Sequence, residues 1–183
     1  KSFCEKLKIE YLSSPFDLDS LILLKKLKTK RIKIPSGEIT NIPLLREIGK
    51  LNKTTFLSTG MSTLSEINIA LDNLTSSGLK RDKIILLHCN SSYPAPEEEM
   101  NLSAIQTLKN TFKLPVGLSD HTKTSIAAMT SCALGAKVIE KHIILDRSFG
   151  GVDAEFSIEP KQFNKMIKDC NKVYDSLGEG SFE

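Results

Sequence analysis

The chain has 183 residues, of which 40% are hydrophobic and 26% charged, a composition typical of a soluble globular domain with its own core. Its 25 basic and 22 acidic side chains give a net charge of only +3, and aromatic residues are few, which argues against a nucleic-acid surface. No apolar run approaches the roughly 20 residues that cross a membrane, and we expect no signal peptide. The four scattered cysteines form no Cys-x-x-Cys pair, so we expect reduced thiols and a cytoplasmic protein.

Short apolar runs alternate with helix-forming segments along the chain. We predict strands at 9–13, 31–34, 55–58, 83–89, 116–121 and 138–142. Helices are predicted at 21–27, 43–50, 64–77, 101–112, 122–134 and 160–177, after a helical tail at 1–8. Two boundaries are especially clear, because Thr63 with Glu66 forms a capping box and Gly78 stands where that helix should end. Strands and helices in unbroken alternation indicate a parallel sheet with helices outside it.

Two parallel architectures remain: a doubly wound open sheet and part of an eight-stranded barrel. No Gly-x-Gly-x-x-Gly turn follows any predicted strand, which argues against a dinucleotide-binding sheet. Every strand ends instead in hydroxyl, amide, acidic, basic or imidazole side chains, and barrel enzymes build their sites at that end of the strands. We therefore predict an α/β fold, a partial (β/α)8 TIM barrel of about six strand-helix units over residues 1–178, with 179–183 starting a linker. Two further strands are expected to precede it.

The last two predicted strands both end in acidic and imidazole groups. Because parallel strands joined by a crossover end on the same side of the sheet, His121 and His142 can converge. Two neutral imidazoles beside Asp120 and Glu140 indicate a divalent metal site. The alternative is a pair of hydrogen-bonded structural histidines, since no His-x-x-x-His motif is present.

Other strand ends carry groups suited to a phosphorylated substrate. Lys33 alternates with Ile32 and Ile34, so its ammonium is expected to point into the barrel, unless the strand is an exposed edge. Hydroxyl and amide donors at neighbouring strand ends can form a phosphate cradle with a lysine. These donors are Ser36, Ser58, Thr59, Asn90 and Ser119. Singly, each is better explained as a turn or capping residue, whereas their placement together after four different strands favours the cradle.

Three loop residues are further candidates, and a third histidine is not. Glu38 can act as an acid or base or accept a sugar hydroxyl, with an exposed loop carboxylate as the alternative. Tyr93 can stack on a ligand or anchor its loop. Asp153, in the Gly-rich loop after the last strand, can fold back over the site or cap a local turn. His88 lies within an apolar strand and is interpreted as a core histidine.

Five strand-end segments stand out as motifs. They are Lys33-Ile34-Pro35-Ser36-Gly37-Glu38, Leu57-Ser58-Thr59-Gly60-Met61, Leu87-His88-Cys89-Asn90-Ser91-Ser92-Tyr93-Pro94, Gly117-Leu118-Ser119-Asp120-His121 and Ile139-Glu140-Lys141-His142. In this order, over essentially the whole chain, they closely resemble the sialic acid synthase family.

The resemblance implies a TIM-barrel domain of which this chain holds the third to eighth strands. Members of the family condense phosphoenolpyruvate with an N-acetylated sugar aldehyde, commonly N-acetylmannosamine, to give a nine-carbon 2-keto sugar acid and phosphate. The resemblance further implies a divalent cofactor, Mn²⁺ or Mg²⁺, held by His121 and His142 with Glu140 beside it. By the same resemblance, phosphoenolpyruvate is bound by Ser14, Lys33, Ser36, Ser58, Asn90 and Ser119. The residues expected to face the sugar are Glu38, Tyr93 and Asp153, and either Glu38 or Glu140 would handle the proton.

The sequence departs from the family pattern at both ends. The first two strands and the C-terminal antifreeze-like domain are not recognised, so we expect the isolated chain to be inactive and its parent to be a homodimeric enzyme of polysaccharide biosynthesis. Synthases for pseudaminic and legionaminic acids share most of the motifs. The segment 33–38 is more similar to the sialic or legionaminic branch, and the loop at 150–154 leaves the sugar open.

Two other functions remain as alternatives. A non-catalytic barrel remnant could bind a sugar or phosphate, although such a remnant would not need the complete set of Lys33, Glu38, His121 and His142. A metal-dependent aldolase using free pyruvate is the second, and the clustered phosphate-type donors argue against it.

Overall fold

The computed structural model describes residues 1–179. Of the predicted linker start at 179–183, residues 180–183 lie outside the described residues. The chain falls into two compact units, Lys1–Leu86 and Leu87–Glu183, and the strand Ile84–Cys89 contributes residues to both.

The first unit alternates helices and strands. Its elements are α1 (Ser2–Lys6), α2 (Leu18–Lys26), β1 (Arg31–Ile34), α3 (Ile42–Gly49), β2 (Thr54–Ser58), α4 (Leu64–Ser76) and the start of β3 (Ile84–Cys89), with short 3-10 turns at Ser36–Glu38 and Arg81–Lys83. Hydrogen-bonded neighbours run β1-β2-β3, and β1 pairs with β2 in parallel, which places Lys33 opposite Phe56.

The second unit continues the same alternation. Its elements are the end of β3, α5 (Ala104–Phe112), β4 (Val116–Asp120), α6 (Ile126–Ala133), β5 (Ile139–Lys141) and α7 (Pro160–Ser176), with short 3-10 turns at Glu97–Glu99 and Arg147–Phe149. Here the neighbouring strands run β3-β4-β5, and β4 pairs with β5 in parallel. The predicted α/β fold with parallel strands is therefore confirmed.

Local sequence signals explain where the helices of the first unit begin and how closely they pack. Asn41 caps α3 by accepting a hydrogen bond from the Leu44 amide at 3.3 Å, and the predicted capping box of Thr63 starts α4. At the end of α3, a Cβ on Gly49 would lie 2.5 Å from the Leu74 carbonyl oxygen of α4. Glycine at this position therefore lets the two helices approach each other.

Glycine also sets the strand spacing in the second unit. A Cβ on Gly117 would lie 2.4 Å from the Val138 carbonyl oxygen and 2.8 Å from a Leu87 methyl group. The same Val138 oxygen accepts a 2.8 Å hydrogen bond from the Leu118 amide. The closest approach of the β4 and β5 segments therefore depends on a residue without a side chain.

One predicted strand is wrong. Residues 9–13 have no regular structure, and Ile9 and Leu12 are exposed, so the segment buries no apolar face. The Lys33 amide donates one long hydrogen bond, 3.4 Å, to the Ser13 carbonyl oxygen, whereas a strand requires a repeating ladder. Residues 1–179 therefore contain five strands rather than six. None of the helices in this part of the chain is long and apolar enough to cross a membrane.

Candidate functional site

Four rings lie together beyond the ends of the strands in the second unit. The ring centroids of His121 and His142 are 5.3 Å apart, so the two strand-end histidines converge as the parallel topology predicted. Tyr93, after β3, lies 4.0 Å from His121, and Phe156, before α7, lies 4.8 Å from His142. We call these four residues the ring cluster.

His121 is held in one tautomer by its surroundings. Its Nδ1 lies 2.7 Å from the Asn90 carbonyl oxygen, and because a carbonyl can only accept, Nδ1 must carry the proton. The side chain is nearly buried, with 3% of the residue exposed. Burial lowers the pKa of His121, and nearby His142 lowers it further, while the bond to Asn90 opposes the shift. A neutral ring with Nδ1 protonated leaves the Nε2 lone pair available as a ligand.

His142 is engaged through the same ring nitrogen. Its Nδ1 lies 3.5 Å from Asp153 Oδ2, so the loop after β5 does fold back and bring Asp153 to the imidazole. A turn fixes this loop, since the Asp153 carbonyl oxygen accepts hydrogen bonds from both the amide and the hydroxyl of Ser157, at 3.1 and 2.7 Å. Within the described part of the chain, Nε2 of His142 has no hydrogen-bond partner and is left for a ligand.

Ser119 and Glu140 form a cross-strand pair at the ends of β4 and β5. They are register partners, and the Ser119 hydroxyl donates to Glu140 Oε1 at 2.7 Å. Ser119 is buried and Glu140 half-buried. Burial raises the pKa of Tyr93, and the nearby charges of Glu140 and Asp153 raise it further. The Tyr93 phenol is therefore a hydroxyl donor at neutral pH rather than a phenolate.

Asp120 does not lie free beside the imidazoles as the sequence suggested. Its carboxylate pairs with the Lys141 ammonium at 2.8 Å and accepts the Thr122 amide at 2.8 Å. Side chains along a strand alternate between faces, so Asp120 and Lys141 share the face opposite Ser119 and Glu140. Sequence reasoning missed Lys141. It follows Asp120 by 21 residues, the same spacing that separates His121 from His142, so the spacing could have indicated this pair as well.

The two histidines suit part of a metal site. Among residues 1–179 there is no group of three or more His, Cys, Asp and Glu side chains arranged to hold a metal ion, so the protein would supply two imidazoles. Metal-ligating histidines usually donate their second ring nitrogen to a carbonyl or carboxylate, as His121 does to Asn90 and as His142 can do to Asp153. The donor set therefore fits an open site completed by small ligands, and the metal itself stays a prediction.

The phosphate-type residues predicted at β1 and β2 belong to the first unit. Lys33 is 8% exposed between buried Ile32 and Ile34, and Ser36 Oγ accepts the Gly60 amide at 2.9 Å. Ser58 Oγ is buried and, within residues 1–179, has no hydrogen-bond partner. An unsatisfied buried hydroxyl is rare, because it loses the hydrogen bonds that it made in water.

Of the remaining predicted residues, Glu38 and Asn90 make local hydrogen bonds. Glu38 Oε2 accepts a hydrogen bond from the Asn41 side-chain amide at 2.7 Å. The Asn90 side chain accepts one from the Ser92 backbone amide at 2.8 Å and donates one to the Glu99 carbonyl oxygen at 3.0 Å. Ser14 is half-buried. Their substrate-binding roles remain predictions.

His88 makes a structural hydrogen bond, in keeping with its interpretation as a core histidine. Its Nε2 donates to the Met100 carbonyl oxygen at 2.7 Å, and burial lowers the pKa of its imidazole.

Phe156, in the ring cluster, was not identified from the sequence, because a phenylalanine in a loop carries no signal of its own.

Comparison with known proteins gives the same assignment as the motifs. Residues 1–182 match the NeuB family. The N,N'-diacetyllegionaminic acid synthase of Campylobacter jejuni is 49% identical over 96% of this chain and 53% of its own length. A pseudaminic acid synthase of the same species is 36% identical over 93% of this chain and 49% of its own length.

A solved structure agrees with these relatives. The N-acetylneuraminic acid synthetase of Leptospira borgpetersenii superposes with a TM-score of 0.94 at 38% identity, over 100% of this chain and 63% of that one. The chain spans about half the length of the curated relatives above. The match over residues 1–182 shows that the chain belongs to the NeuB family.

Proposed function

We propose that the protein containing this chain condenses phosphoenolpyruvate with an N-acetylated six-carbon sugar aldehyde, giving a nine-carbon 2-keto sugar acid and inorganic phosphate. The main support for the proposal is the pair of converging histidines. In each, Nδ1 lies close to an oxygen atom and, among residues 1–179, Nε2 has no hydrogen-bond partner. The proposal includes a (β/α)8 barrel of which these units are part, a homodimeric state and a cytoplasmic location.

The proposed reaction forms one carbon–carbon bond and releases one phosphate. C3 of phosphoenolpyruvate attacks the aldehyde carbon, water adds at the former enol carbon, and the bond from that carbon to the phosphate oxygen breaks. A divalent ion, Mn²⁺ or Mg²⁺, would act as a Lewis acid on the aldehyde oxygen. His121 and His142 are the residues that would hold it.

Several residues at strand ends are proposed to bind phosphoenolpyruvate. The Lys33 ammonium would offset phosphate or carboxylate charge, and the unsatisfied Ser58 hydroxyl would gain its missing hydrogen bond from the ligand. The other residues proposed for this substrate are Ser14, Ser36, Asn90 and Ser119.

Acidic and phenolic side chains are proposed to act on the sugar. Asp153 and Tyr93 would bind sugar hydroxyl or acetamido groups, because the carboxylate accepts and the neutral phenol donates. Glu38 and Glu140 both accept hydrogen bonds in the structure, from Asn41 and Ser119, and either is a candidate to transfer the proton.

The sugar is proposed from the relatives. The more similar of the two curated relatives is named for a diacetylated product, so a six-carbon sugar with two N-acetyl groups is the first substrate to test. N-acetylmannosamine is the second, because the similar solved structure is named for N-acetylneuraminic acid.

The test is phosphate release from phosphoenolpyruvate by the complete gene product, with Mn²⁺ and each sugar in turn. Release that requires both sugar and metal, and that falls to background in a His121→Ala variant, is the expected result. A His88→Gln variant is the matched control, since His88 is bonded to Met100 and has no part in the ring cluster. No release with any N-acetylated hexose would favour a binding remnant, and condensation from free pyruvate without phosphate would favour an aldolase.

A further inference from the structure

Phe156 contacts the candidate metal ligands without being one of them. Phe156 is buried, with 2% of the residue exposed. The ring meets His142 at a centroid distance of 4.8 Å and an interplanar angle of 65°, and Tyr93 at 5.4 Å and 66°. It also lies 6.3 Å from His121. These values fall in the range of edge-to-face aromatic pairs, which have a preferred geometry that an aliphatic side chain cannot supply.

Backbone hydrogen bonds hold the segment that carries this ring beside His142. The Ile158 amide donates to the His142 carbonyl oxygen at 3.0 Å, and the Ile144 amide donates to the Ile158 carbonyl oxygen at 3.1 Å. The loop that begins after β5 at His142 is thus closed at Ile158, because Ile158 is hydrogen-bonded to the start of the loop. Arg147 reinforces the closure by donating from Nε to the Ser157 carbonyl oxygen at 2.9 Å.

One closed loop therefore delivers two contacts to one imidazole. Asp153 reaches Nδ1 at the ring edge, and Phe156, three residues later, packs against the ring. The 3.5 Å contact with Asp153 is too long to fix the imidazole by itself, because the ring can still turn about its Cβ–Cγ bond, so a second contact is needed to fix the ring plane. Phe156 provides it.

We propose that Phe156 is a positioning residue that fixes the ring plane of His142, and so the direction of its free Nε2. This proposal rests on the proposed function at one point only, because it takes Nε2 of His142 to be the atom that binds a divalent ion. In the wild-type chain without metal, the His142 ring is expected to hold one orientation, because both of its contacts are present.

The test compares ring variants by nitrogen-15 NMR of the histidine side chains in the metal-free chain, at about pH 8, where imidazoles are neutral. In Phe156→Leu, the His142 ring is expected to lose its fixed orientation, so its two tautomers interchange and the chemical shifts of its two ring nitrogens move toward each other. In Phe156→Tyr, which keeps an aromatic ring, the two chemical shifts are expected to stay apart. Phe112→Leu is the matched control, a buried phenylalanine of α5 outside the ring cluster, and should leave the His142 shifts unchanged. Phe156→Met, which fills space without a planar ring, repeats the comparison if the leucine variant does not fold.

Titration with Mn²⁺ supplies a second readout. Loss of a group that orients a ligand typically weakens metal binding by about 10-fold or more, and this is expected for Phe156→Leu and not for Phe112→Leu. Unchanged His142 shifts in Phe156→Leu would overturn the proposal, as would unfolding of both the leucine and methionine variants, which would assign the ring to the fold alone. A wild-type protein with ordered His142 shifts that binds no Mn²⁺ would contradict the proposed metal role and leave the positioning role intact.

Discussion

The Lys141 ammonium lies 2.8 Å from the Asp120 carboxylate, and the two side chains are 1% and 0% exposed. Asp120 immediately precedes His121, and Lys141 immediately precedes His142. Lys141 also donates to the Thr122 and Thr124 carbonyl oxygens, at 2.5 and 3.0 Å. One buried ion pair therefore joins the strand end that carries one candidate ligand to the strand end that carries the other.

Removing the lysine should destabilise the protein strongly. Lys141→Met leaves the Asp120 carboxylate buried without its counter-charge, and breaking such a pair typically costs about 3–5 kcal/mol. We expect urea unfolding to show this loss as a lower midpoint. Adding Asp120→Asn to Lys141→Met should recover part of it, because the orphaned charge is then gone. Equal stability of Lys141→Met and wild type would show that the pair is not held as described.

Gly117 should not tolerate a methyl group. Gly117→Ala would press a Cβ to 2.4 Å from the Val138 carbonyl oxygen, so β4 or the neighbouring segment must shift. Overpacking of this kind typically costs about 1–3 kcal/mol, measurable as a lower urea midpoint. Gly37→Ala is the control, because a Cβ there meets nothing within 4 Å and the stability should barely change. A wild-type midpoint for Gly117→Ala would contradict the close approach.

Ser58 should matter for ligand binding rather than for stability. Its hydroxyl has no partner in residues 1–179, so Ser58→Ala is expected to leave the free energy of unfolding unchanged or slightly higher while raising the KM for phosphoenolpyruvate. Ser131→Ala is the contrasting variant. Its buried hydroxyl donates to the Ala128 carbonyl oxygen at 2.7 Å, and losing that bond should cost about 1 kcal/mol without altering the KM. A destabilised Ser58→Ala protein with wild-type KM would reverse the interpretation.

Acidification should weaken the fold through its histidines. Burial lowers the pKa of His88 below the ordinary value of about 6.5, so between these two values the unfolded chain binds more protons than the folded one. The contribution is complete above about pH 6.5 and is lost as the pH falls toward the lower folded value. His121 acts in the same direction.

The measurement is the urea midpoint at about pH 7.5 and about pH 5.5, a window that lies above the titration of ordinary carboxylates. Wild type should be less stable at the lower pH. His88→Gln, whose amide can still donate to the Met100 carbonyl oxygen, should show a smaller decrease. An equal decrease in both proteins would mean that His88 does not contribute.

Most of the fold could be predicted from local sequence. The strand at 31–34 and the capping box at Thr63 are found where the sequence placed them, because a period of two and a capping side chain are properties of neighbouring residues. The segment 9–13 shows the limit. Its apolar residues satisfied the pattern of a strand, but a strand also needs a partner along its length, and sequence neighbours do not supply one.

The sequence by itself determined the family, through five strand-end motifs, and the pairing of His121 with His142, since parallel strands end on the same side. Only the tertiary structure decided that Asp120 is neutralised by Lys141, that the Ser58 hydroxyl has no partner among residues 1–179, and that Phe156 packs against His142. The physical reason is that a side chain's charge, hydrogen bonds and orientation depend on partners brought close by strand register and loop closure. Those partners lie far away in the chain, and their residue types alone do not reveal them.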